Sequence, residues 1–405
     1  MEQMTEQVPV LFAKEPDPVP QQTREWKSKY SRAGLSVAAL YGTIGVGQSI
    51  AGIVIGVVIA MLLAMRALPA FDAQAILRGG LPAILRYIES IKGTGIIALL
   101  LAVFVLVQSA SWGVGFVVMR LINKKGTPIE KRSLSFGRFV VIALMCFGIW
   151  GVGAALGNLS AFFGVETQDM LGVEALGIEA LPMLIYAIIG APIVEELTFR
   201  KALCDRLHDT HEGYAAVISG LLFGLMHGNH MQFFLAFFLG MLFAMVYQRT
   251  GRIVYTMLLH GMINLTASLP ELFSLAGIDI NLGWNIAVAA LVVAGLIVLL
   301  VRRKAEPLLH AAPTAVYDAN NATYRNVGMR IVRIAAVVMI GLQGLLLIVV
   351  GMLSADSDRF ALHLIDLIPL TLVFLTVFLL PVFTKRYEAH AQNLNAEDCM
   401  EEAGL

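Results

Sequence analysis

The chain has 405 residues, 58% hydrophobic and 14% charged, with a formal net charge of zero. That composition excludes a soluble multidomain protein, and the charge balance offers a nucleic acid nothing to bind. Apolar runs long enough to cross a ~30 Å hydrocarbon core recur between charged or turn-rich gaps, so the expected fold class is all-α, a polytopic membrane helix bundle of about ten spans.

Residues 1-32 read as a cytoplasmic, largely disordered tail, with Arg24, Lys27, Lys29 and Arg32 crowded before the first apolar run. The first span is expected over Leu35 to Met65, with Gly52 and Gly56 at small-xxx-small spacing. Pro69 to Gly95 follows and contains an amphipathic segment, Ile84 to Lys92, expected on the outer surface. The second span, Ile96 to Ile122, ends in a basic loop holding Lys124, Lys125, Lys131, Arg132 and Arg138, which the positive-inside bias places in the cytoplasm. The third, Phe139 to Phe163, leads into an acidic outer loop ending at Ala180, so the fourth, Leu181 to Leu203, descends inward.

The fifth span rises from Tyr214 to about Gly228, with Gly220, Gly224 and Gly228 set for close helix approach. The sixth covers Met231 to Tyr247, the seventh Ile253 to Leu269 and the eighth Trp284 to Val301. A polar linker over 304-330 separates a last hairpin, 331-384, from the rest, and 385-405 is a second cytoplasmic tail. This divides the chain into a tail (1-32), N-terminal membrane helices (33-180), a core of four spans (181-269), the eighth span (270-303), the linker, the hairpin and the final tail. Cys146, Cys204 and Cys399 show neither pairing nor metal-ligand spacing.

The costliest stretch is the fourth span, where Glu195 and Glu196 lie adjacent in an otherwise apolar helix. Intramembrane acids are partnered, turned inward and functional by default. Glu196 and Arg200 are four residues apart and share a face, so an ion pair within the helix is expected. Glu195 points about 100° away and has no basic residue along its own helix. Pro192 lacks an N–H, which predicts a kink and a freed carbonyl at Ile188.

Phe223 and His227 share a face of the fifth span, as His260 and Asn264 do in the seventh. Counting ~1.5 Å per residue, Glu195 lies roughly 9 to 15 Å from the cytoplasmic side, His260 roughly 11 Å and His227 nearer 20 Å. Each histidine alone could be interhelical glue, and Phe223 could be packing. Together, a glutamate and a histidine on one water supply a general base, while a second histidine and an asparagine supply donors for an oxyanion. Glutamate with two histidines also matches the ligand types of catalytic zinc, although no His-Glu-x-x-His helix is present.

The segments Glu195-Glu196-Leu-Thr-Phe-Arg200, Phe223-Gly-Leu-Met-His227 and His260-Gly-Met-Ile-Asn264, in this order, resemble the three motifs of the CAAX protease and bacteriocin-processing (CPBP, or Abi) family of intramembrane glutamic endopeptidases. The resemblance covers Leu181 to Ser268. It implies that Glu195 and His227 activate water, that His260 and Asn264 stabilise the oxyanion, and that Glu196, Arg200 and Phe223 support the site. It implies no cofactor, with the zinc alternative left standing by the ligand types. Lys201 departs from the family, which often has glycine after the motif arginine.

The expected activity is therefore an intramembrane endopeptidase cutting a membrane-inserted, lipidated or leader-bearing peptide near the cytoplasmic half of the bilayer. The expected location is a prokaryotic plasma membrane, with both termini cytoplasmic. Two other classes fit parts of the pattern: a scaffold or bacteriocin-immunity protein that keeps the motifs as structure, and a proton-coupled transporter using Glu195, His227 and His260 as a relay.

Overall fold

In a computed structural model, the described residues are 20–64, 90–91, 95–123, 129–157, 177–208, 212–227 and 230–302. Among them every regular element is a helix: α1 (Pro20–Ala64), α2 (Ile96–Asn123), α3 (Phe136–Gly157), α4 (the span Ile178–Leu207), α5 (Glu212–Met226), α6 (His230–Thr250), α7 (Ile253–Ser274) and α8 (Asn281–Arg302). The predicted hairpin 331-384, the linker, the C-terminal tail and nearly all of the amphipathic segment lie outside the described residues.

Seven of these helices are long and apolar enough to cross a membrane, against about ten expected. The ninth and tenth spans fall outside the described residues. The fifth falls short for a physical reason. Its 15 residues rise roughly 22 Å, less than the ~30 Å hydrocarbon core. A second correction concerns the N-terminal tail, because residues 20–32 are helical and continuous with the first span. Pro20 sits at the first helical position, where its missing N–H costs nothing, and no further proline interrupts the helix before Ala64.

α1 packs on α2, α5 on α6, and α3 on both α6 and α8, while α4 is held between α2, α5 and α7. Glycines set the closest of these contacts. A Cβ on Gly148 of α3 would lie 2.6 Å from the carbonyl carbon of Gly295 in α8, so these backbones touch. Gly220 and Gly224 of α5 seat α6 in the same way: a methyl group on either would stand 2.6 Å from the Phe237 carbonyl oxygen or 2.9 Å from that of Phe233, respectively. Gly52 and Gly56, by contrast, face open space among the described residues.

α2 and α4 start together and end together. At their starts, the buried Glu179 accepts the N–H of Gly95 at 2.9 Å, a glycine with φ +75°. At their ends, Arg120 meets Asp205 at 3.2 Å. Glu179 thus closes a loop instead of lining an open acidic segment.

Among the described residues, Pro192 and Pro270 each free a carbonyl that a neighbouring helix takes up. Pro270 in α7 cannot bond the Thr266 carbonyl one turn back, and the indole N–H of Trp284 in α8 donates to it at 3.0 Å. The other proline is Pro192, beside the two glutamates.

Candidate functional site

α4 is not a uniform α-helix: residues Tyr186–Gly190 and Leu197–Cys204 are π-helical, flanking the α-helical turn Ala191–Glu196. The Ala191 N–H bonds the Tyr186 carbonyl, five residues back. In that register the next bond would run from residue 192 to Ala187, and Pro192 has no N–H to make it. The freed acceptor is therefore Ala187 and not Ile188 as the α-helical count predicts. Asn264 of α7 donates its Nδ2 hydrogen to it at 2.7 Å. Gly261, one turn before, lets α7 approach. A Cβ there would stand 3.3 Å from the Ile188 carbonyl.

The adjacent acids separate as the helix geometry requires. Glu196 is fully buried, and its Oε2 lies 3.0 Å from Nε of Arg200, itself fully buried. Its other oxygen, Oε1, lies 3.1 Å from Nδ1 of His260. A carboxylate accepts, so Nδ1 carries a hydrogen and the ring is held edge-on to α4. His260 Nε2 then faces Glu195 Oε2 at 3.7 Å, and the Glu195 side chain is 15% exposed. That gap is too long for a hydrogen bond, but a water ~2.8 Å from each atom would close it. The Glu195 carboxylate is thus the member of the pair that solvent or substrate can reach.

Arg200 is held from several sides. Nη1 donates to Ser219 at 3.0 Å, and Ser219 donates onward to the Phe199 carbonyl at 3.1 Å. Its guanidinium lies 5.0 Å from the centre of the Phe223 ring and 5.7 Å from that of Phe243. The same Phe223 ring meets both histidines edge-to-face, His227 at 5.1 Å and His260 at 5.6 Å between centroids. Phe223 is accordingly a spacer that fixes a cation and two imidazoles, beyond filling space. His227 Nδ1 lies 2.9 Å from the Phe223 carbonyl, which only accepts; Nδ1 carries the hydrogen and Nε2 the lone pair.

The structure thus gathers Glu195, Glu196, Arg200, Phe223 and His260 into direct contact or near contact, with His227 on the same phenyl ring and Asn264 one turn beyond His260. Among the described residues, His260 approaches both carboxylates, Glu195 and Glu196. Sequence reasoning missed Ser219 and Phe243. Ser219 lies four residues before Phe223 on its face, a spacing that could have flagged it; Phe243 comes from α6, which carries no motif. Among the described residues, no group of three or more His, Cys, Asp or Glu side chains could hold a metal ion.

Lys201 does not disturb the end of α4, which continues to Leu207. Its Nζ lies 2.9 Å from Asp205 Oδ2 and 3.0 Å from the Tyr247 hydroxyl, and Tyr247 in turn donates to Asp205. With Arg120 of α2 also on Asp205, the side chain that replaces glycine is built into a polar clamp joining α2, α4 and α6.

Residues 177–266 match the family described as Type II CAAX prenyl endopeptidase Rce1-like, an interval that contains every side chain of this site. A curated relative from Bacillus subtilis (strain 168), named "Putative membrane peptidase YdiL", is 32% identical over 143 residues. The match covers 33% of this chain and 57% of that relative, so the chain spans little more than half of its length. No solved structure matches the chain significantly.

Proposed function

We propose, on the match of residues 177–266 to the Rce1-like family, that the chain belongs to the CPBP family and is an intramembrane endopeptidase of the glutamic type. The observation that carries the reading is His260 held between two carboxylates, one buried in an ion pair and the other partly exposed.

Glu195 is the general base. A water on its carboxylate attacks the scissile carbonyl carbon, its proton passes to Glu195, and the proton then moves to the departing amide nitrogen as the C–N bond breaks. One carboxyl and one amine product result, with all atoms balanced. His227 holds the water or shares its proton through Nε2, because Nδ1–H is committed to the Phe223 carbonyl.

His260 donates to the developing oxyanion through Nε2. Donating from Nε2 while Nδ1–H is held by Glu196 requires His260 to act as the imidazolium. Asn264 supplies a second donor. Glu196 acts through His260 and Arg200, setting the ring's orientation, and Phe223 sets the spacing. No metal is required in this scheme.

The substrate proposed is a membrane-inserted, lipidated or leader-bearing peptide, cut near the cytoplasmic half of the bilayer of a prokaryotic plasma membrane, with both termini of the enzyme on the cytoplasmic side. The test compares membrane and secreted peptides from cells carrying the wild type and Glu195→Gln, with purified protein assayed on a farnesylated, internally quenched CAAX peptide and on a leader-bearing peptide. Uncleaved precursors should accumulate in the variant. Identical peptide profiles in both strains would point to a scaffold or immunity protein.

A further inference from the structure

The donor role given to Asn264 leaves open what aims its amide, and α4 supplies an answer that no motif contains. We propose that Pro192 is a positioning residue for Asn264, acting through the carbonyl of Ala187; this rests on the reading of Asn264 as an oxyanion donor.

Three observations converge. The backbone of α4 runs in π register at this point, since the Ala191 N–H reaches back to Tyr186. Pro192 therefore leaves the Ala187 carbonyl without its helical donor, in a setting where an unpaired carbonyl is costly. Asn264 Nδ2 occupies that carbonyl at 2.7 Å.

A primary amide has two N–H hydrogens in one plane. Committing one of them to a rigid backbone acceptor fixes the plane and directs the other. Asn264 lies one helical turn from His260 on the same face of α7, so its second N–H is set on the side of α7 that carries His260. Gly261 completes the device by letting α7 sit close enough to α4 for a short side chain to reach across. The proline is thus used to withhold a hydrogen bond from its own helix and to offer the acceptor to the neighbouring one. Pro270 does the same for Trp284 at the other end of α7, without any ionisable group in that bond. It serves as the structural counterpart.

The test uses the full chain in detergent. Pro192→Ala restores an N–H that competes for Ala187, and Gly261→Ala crowds the Ile188 carbonyl, 3.3 Å from the added Cβ, without changing Pro192 itself. The side-chain amide signals of Asn264, identified by their loss in Asn264→Ala, are read by ¹⁵N NMR in each background. Cleavage of the farnesylated, internally quenched CAAX peptide gives kcat and KM. Both substitutions should shift the Asn264 amide pair and lower kcat by about 10-fold to 10²-fold with KM little changed, as a misplaced group does. Pro192→Ala should melt no lower than wild type, since it adds a helical hydrogen bond. Asn264→Ala should cost much less in kcat in the Pro192→Ala background than in the wild type.

An unchanged Asn264 amide signal in folded Pro192→Ala, or an equal cost of Asn264→Ala in both backgrounds, would overturn the proposal. If the wild type cleaves no peptide at all, the parent reading of function fails, and the NMR comparison still decides whether Pro192 aims the amide.

Discussion

Substituting each of the two adjacent glutamates by glutamine, an isosteric change, should give opposite phenotypes. Glu196 and Arg200 are both fully buried and 3.0 Å apart, and the second Glu196 oxygen holds His260. A glutamine there has one acceptor and one donor end. With its oxygen on Arg200, its NH₂ abuts the hydrogen on His260 Nδ1; flipped, the NH₂ abuts the guanidinium. Either way Arg200 is left without its counter-charge. Breaking a fully buried pair costs about 3 to 5 kcal/mol, a large part of the ~5 to 15 kcal/mol that holds a domain folded. Glu196→Gln should therefore unfold at markedly lower temperature, and any folded fraction should be impaired as well, because His260 has lost the group that sets its orientation.

Glu195 is different. It is partly exposed, and its approach to His260, at 3.7 Å, is too long to hold the ring. Glu195→Gln keeps the volume and removes the base, a role worth ~10² to 10⁴ in rate. Its thermal unfolding should match the wild type while peptide cleavage is lost. Scanning fluorimetry in detergent beside a cleavage assay on both variants decides the matter. A Glu195→Gln protein that cleaves at the wild-type rate would refute the catalytic assignment, and a Glu196→Gln protein as stable as wild type would refute the reasoning about the buried pair.

Three further outcomes are expected. Trp284→Phe removes the indole donor from the Thr266 carbonyl and should lower unfolding stability by about 1 kcal/mol, read in detergent, while cleavage stays at the wild-type rate. Prolonged chelation should leave cleavage unchanged, and activity lost to a chelator and restored by zinc, with stoichiometric zinc in the purified protein, would reverse the metal-free scheme. Ending the chain after Arg302 should leave a core that unfolds at the same temperature, since all three motifs precede that point. A truncated protein that aggregates in detergent would show the hairpin to be part of the core.

Much of the arrangement was legible in the sequence because it depends on spacing within single helices. The Glu196–Arg200 pair follows from a four-residue separation, and so does the sharing of faces by Phe223 with His227 and by His260 with Asn264. The close seating of α5 on α6 follows from Gly220 and Gly224. What could not be read is whatever depends on rotation and register between helices. Nothing in the chain says that His260, and not only Arg200, would meet Glu196, because that contact crosses from α7 to α4.

The Ala187 carbonyl shows how small a local change defeats the count. An α-helix ending its bond at Pro192 frees Ile188, but a register slip of one residue frees Ala187 and turns the acceptor by about 100° around α4. That rotation decides which helix can use it. Had the orphan stayed at Ile188, it would have faced Gly261 of α7, which has no side chain to donate. Moved to Ala187, it meets Asn264 instead. The π-helical turn, the proline and the asparagine are therefore one unit, and a chain that kept the three motifs but lost the slip would carry the same proposed site residues with one of its two proposed donors aimed elsewhere.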